Sequence, residues 1–62
     1  MNSLHYVTAY RHDANEWWRF AITAANPEAA AQRFRDGYSD MNFTRINAVF
    51  ICETAADVFQ EL

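Results

Sequence analysis

Lysine is absent from this chain, and cysteine, glycine and proline occur once each, as Cys52, Gly37 and Pro27. A single cysteine excludes an internal disulfide. One Cys and two His cannot fill a four-ligand zinc site without help from carboxylates, so no metal or other cofactor is expected. The lone glycine excludes a Gly-rich phosphate loop. No apolar run approaches the roughly 20 residues of a membrane span. The N-terminus also lacks the basic-then-apolar order of a signal peptide, so the chain reads as cytoplasmic.

What is present is apolar and aromatic. Hydrophobic residues make up 52% and aromatics 16% of the 62 positions, too much for a disordered segment. The length allows one domain, residues 1–62. A domain this short buries only about 60% of the surface its unfolded chain exposes, so it calls for dense packing or self-association, with a homodimer as the simplest form. The formal charge is −3, and all five bases are arginine. Arginine suits interfaces because its planar fork bonds bidentately and stacks on rings. A G+C-rich coding sequence would produce the same Lys-to-Arg bias.

Asn26–Gly37 marks both ends of a helix. Asn26 is a good N-cap, Pro27 sits where a missing N–H costs nothing, and Gly37 is suited to a left-handed stop. Ala30, Ala31 and Phe34 share the apolar side. Leu4–His12 and Trp17–Ala24 are rich in β-formers and flank a polar turn. A three-residue loop, Asp13–Asn15, would put Asn15 in the left-handed region and pair Tyr10 with Trp18. That register predicts a core face of Leu4, Tyr6, Tyr10, Trp18, Phe20 and Ile22. Phe43–Glu53 reads as a third strand, with a break into a hairpin at Asn47-Ala48 as the alternative. Its inward face would carry Thr44, Ile46, Ala48, Phe50 and Cys52. Thr54 then resembles a cap with Asp57 in a capping-box position, and Ala55, Val58, Phe59 and Leu62 follow at helical spacing. The expected fold is α+β: a small antiparallel three-stranded sheet in β-β-α-β order, one helix packed on one face, and a short C-terminal helix.

The second face of that sheet is where function is expected. It would show Arg11, Trp17, Arg19, Phe43 and Arg45, aromatics mixed with arginine and few acids, which is an interface composition. These five are the candidate partner-binding residues. The plainer reading is that the C-terminal helix folds over the face and leaves no functional surface.

The same face has the chemistry of a base-stacking platform. Net negative charge and the absence of a basic cluster weigh against nucleic acid, because phosphate attraction supplies most nonspecific affinity. Catalysis has less support. His5 and His12, seven apart on one strand, point to opposite faces. Cys52 falls on the predicted core side, and a Cys52–His5 dyad would lack an orienting third group. No catalytic residues are assigned.

The run Trp18–Ala30 (Trp-Arg-Phe-Ala-Ile-Thr-Ala-Ala-Asn-Pro-Glu-Ala-Ala) is a strand leading into a capped, Ala-rich helix. With the chain's brevity and acidity, it resembles the small α+β proteins of phages and mobile elements, the anti-CRISPR inhibitors among them. The resemblance implies a non-enzymatic, stoichiometric inhibitor without a cofactor, which blocks a host defence or nucleic-acid-processing complex in the host cytoplasm. It carries no catalytic residues with it. A single-stranded nucleic-acid binder and a self-associating structural subunit are the alternatives.

Overall fold

In a computed structural model, which describes residues 2–62, the helix begins where its cap predicts. Strand β1 (Asn2–Arg11) and strand β2 (Glu16–Ala24) lead into helix α1 (Pro27–Gly37). Asn26 Oδ1 accepts a hydrogen bond from the Ala29 amide at 2.8 Å, which satisfies one of the orphan donors of the first turn. The helix buries Ala30, Ala31 and Phe34, as its spacing requires. Its C-terminal end departs from expectation. Gly37 has no positive φ; the chain leaves the helix through Tyr38, whose N–H donates to the Phe34 and Arg35 carbonyls.

Strand β3 (Phe43–Thr54) is continuous, so the hairpin alternative is excluded. A further strand, β4 (Phe59–Glu61), follows it. The expectation of three strands and a C-terminal helix is therefore corrected to a four-stranded antiparallel sheet in the order β3-β1-β2-β4, with the chain order β-β-α-β-β. The physical reason lies in the partners. A nine-residue helix is costly to nucleate alone, whereas β2 offers an unpaired edge. The Thr23 N–H donates to the Val58 carbonyl at 2.9 Å, and the Leu62 N–H to the Arg19 carbonyl at 2.8 Å. Thr54 closes a local turn by accepting from the Ala56 amide, and caps no helix.

The hairpin register also differs from expectation by one residue. Tyr10 lies opposite Trp17, Thr8 opposite Arg19 and Tyr6 opposite Ala21. The connection spans four residues, 12–15, and Asn15 takes the expected left-handed conformation at φ 55°. A slip of one residue moves a whole side-chain set across the sheet. Val7 and Ala9, with His5, consequently lie under the helix, fully buried, and Leu4, Tyr6 and Tyr10 face away. Small side chains on β1 let the helix approach closely, while the larger Phe20 and Ile22 of β2 fill the remaining space. Trp18, Phe20 and Ile22 keep the face expected for them.

On β3 two register shifts change which side chains point inward. The Arg45–Ile46 pair faces Ala9 alone, and Ile51 is an extra residue between the pairs His5–Phe50 and Leu4–Cys52. Phe43 is thereby turned toward the core, where its ring meets Phe34 at 4.9 Å and Trp18 at 5.1 Å. Cys52 is turned out and exposed, contrary to its expected core position.

Candidate functional site

The helix covers one face of the sheet, and among the described residues no helix covers the other. The open face carries Tyr6 and Tyr10 from β1, Trp17 and Arg19 from β2, and Val49 from β3. Trp17 and Val49 are about half exposed, at 54% and 51%. Tyr10 sits at the centre of an aromatic group, its ring 5.3 Å from Trp17 and 5.9 Å from His12. Its hydroxyl donates to the Asn15 side chain, which ties the ring to the turn.

Arg45 joins this group through the bulge. Its φ of 53° is a left-handed backbone that L-residues adopt at a cost. The guanidinium carbon stands 5.7 Å from the centre of the Tyr10 ring, within cation–π reach.

Three of the five expected contact residues, Trp17, Arg19 and Arg45, are thus brought to one surface. The other two are not. Arg11 and Phe43 oppose each other on the helix side of the sheet. Arg11 lies over the Trp18 ring at 5.6 Å and bonds Asp13 at 3.0 Å, while Phe43 belongs to the edge of the core. They hold that end of the fold together. Conversely, Tyr6, Tyr10 and Val49 belong to the open face although the sequence pattern put the tyrosines in the core. The usable signal was the phenol: a tyrosine hydroxyl needs a partner or water, and so favours a surface over the tight layer under a helix.

Charge is divided unevenly between the two sides: Arg11, Arg33 and Arg35 lie on the helix side with most of the acids. The register puts Arg19 on the open face, and the bulge adds Arg45. Glu16, Glu53 and Glu61 pair with Arg11, Ser3 and Phe20, whose positions alternate to the helix side. Asp13 lies in the turn, Glu28 and Asp36 on the helix, Asp40 in the following loop, and Asp57 beside Arg33. A chain of net charge −3 therefore presents a locally cationic, aromatic face.

Other titratable groups are placed apart from it. His5 is fully buried, and neither ring nitrogen has a hydrogen-bond partner among the described residues. Cys52 pairs with Leu4 on the opposite face from His5, so the two do not form a dyad. His12 is exposed in the turn. Asp57 accepts from Thr23 Oγ1 at 3.1 Å and from Arg33 at 3.0 Å. Those bonds, the Thr23 hydroxyl foremost, and the arginine charge hold its carboxyl below the ordinary aspartate value. Among the described residues, no three His, Cys, Asp or Glu side chains are grouped to hold a metal ion, and no helix is long and apolar enough to cross a membrane.

No protein-family model, curated protein or solved structure matches this chain.

Proposed function

We propose that this chain is a non-enzymatic protein-binding module that docks a partner on the open sheet face. One observation carries the reading: an aromatic surface with two arginines, Arg19 and Arg45, on a chain of net charge −3. Trp17 is the anchor, because a large exposed ring gains most from being sealed against a partner. Arg19 and Arg45 are clamps for carboxylates on that partner. Acting by occupancy, the module works as a stoichiometric inhibitor in the cytoplasm, in the manner of the phage-encoded proteins it resembles, with a host defence or nucleic-acid-processing complex as target.

The arginine beside the paired Tyr10 and Trp17 rings also favours a second reading, in which single-stranded nucleic acid stacks on them. Titration with labelled oligonucleotides at low and moderate salt separates the two. The protein-binding reading expects no oligonucleotide binding at low salt. It also expects affinity capture from the native host to recover a partner that a Trp17→Ala, Arg19→Ala variant, still folded, fails to retain. Retention by that variant would remove the assignment.

A further inference from the structure

Strand β3 is twelve residues long and lies at the end of the sheet, so among the described residues one of its edges pairs with nothing. A long apolar edge invites pairing with another chain. Three consecutive side chains there, Val49, Phe50 and Ile51, are each about half exposed, although they alternate between the two faces. Val49 lies on the open face and Phe50 on the helix side, so this edge is bare on both sides.

The regular part of this strand lies between its two bulges and is centred near Ala48. Beside it, on the helix side, a groove runs between α1 and β3, with Ala31, Gln32, Ile46 and Ala48 along it and Glu28 and Arg35 at its ends. The side chains of Glu28 and Arg35 are exposed, and neither is in an ion pair among the described residues.

This pattern reads the same from both directions. A two-fold axis through Ala48 and between Ala31 and Gln32 sets Glu28 of each copy beside Arg35 of the other. The same axis sets Phe50 of each copy beside Ile46 of the other, so the exposed ring fills the apolar end of the facing groove. Opposite charges and apolar partners that exchange under one rotation are what a two-fold, isologous contact requires. We infer that the occupant of the β3 edge is a second copy of this chain, joined by antiparallel β3–β3 pairing into one eight-stranded sheet. A face-to-face dimer through the open side is disfavoured, because it would bring Arg19 and Arg45 against their own equivalents.

The inference stands apart from the proposed partner face and is tested separately from it. Sedimentation equilibrium of the whole chain at micromolar concentration should give twice the 7.2 kDa chain mass. Glu28→Arg alone sets arginine against arginine, and Arg35→Glu alone sets glutamate against glutamate. Each should weaken dimerisation about tenfold, as expected for two exposed pairs turned from attraction to repulsion. An equimolar mixture of the two single variants should form a heterodimer, and the double variant Glu28→Arg, Arg35→Glu should recover the wild-type mass. Phe50→Asp, checked for folding by circular dichroism, should be monomeric, and Trp17→Ala should remain dimeric. A wild-type monomer at about 100 µM, or a dimer indifferent to the charge swaps, would overturn the inference.

Discussion

The ring of Phe59 lies 3.3 Å from where a side chain on Gly37 would begin. Gly37 therefore serves close approach between the helix end and β4, and its φ is unremarkable for any residue. Gly37→Ala should be nearly neutral, because a helix gain of up to about 1 kcal/mol offsets a contact that the partly exposed Phe59 ring can relieve. Gly37→Val should cost about 1–3 kcal/mol by overpacking. Denaturant unfolding would register the difference, and amide exchange at Phe59–Glu61 would show β4 as the part released.

Stability and binding should separate at two aromatic positions. Phe34 is fully buried, with ring contacts to Phe20 at 5.1 Å and Phe43 at 4.9 Å. Phe34→Ala should cost about 3–5 kcal/mol, enough to unfold much of a domain this small. Trp17→Ala, on the open face, should change stability by less than about 1 kcal/mol. Its loss should appear in partner affinity, at about 2 kcal/mol or more. Equilibrium unfolding and calorimetric titration read the two effects.

Acid should loosen the C-terminal segment first. The Asp57 carboxyl is held below the ordinary value of 3.8, so its bonds to Thr23 and Arg33 contribute fully above the unfolded pKa. That contribution declines once the pH falls below about 4 and is gone below the folded pKa. Amide signals of Val58–Leu62 should therefore lose protection on acidification before those of β1. In Asp57→Asn the same signals should be weakly protected already at neutral pH and nearly insensitive to acid.

His5 is a cost in the core. With both nitrogens unpartnered and no exposed surface, it carries an unmet desolvation penalty of about 1–3 kcal/mol. His5→Leu fits the apolar surroundings of Ile22 and Phe50 and should raise stability by about 1 kcal/mol. A rise in the denaturant midpoint with unchanged slope would establish it.

Much of the architecture was readable from residue pattern. Asn26, Pro27 and the Ala30–Ala31–Phe34 spacing defined the helix, and the β2 face of Trp18, Phe20 and Ile22 was assigned correctly. The register of β1 was not readable, because both of its faces are apolar. Leu4, Tyr6 and Tyr10 compete with Val7 and Ala9, and only the close fit of the helix over small residues decides between them. The β3 bulges leave no mark in composition, and they moved Phe43 inward and Cys52 outward. At the C-terminus, Val58 and Phe59 satisfied a helical spacing, but Thr23 and the free edge of β2 supplied hydrogen bonds that local periodicity cannot reveal. Of the candidate site, Trp17 and Arg19 followed from β2 alone, and Arg11 and Phe43 failed with the register and the bulge.

The first strand in the chain sits between two others, with β2 on one side and β3 on the other. Its hairpin with β2 can close within about 10 µs of hydrophobic contact, since the turn is local. The opposite flank must wait until residues some forty positions later have been made and brought back. During synthesis, therefore, β1 is left with a bare apolar margin for as long as β3 is still in the ribosome, and that interval is when an unrelated strand could most easily take the vacant place.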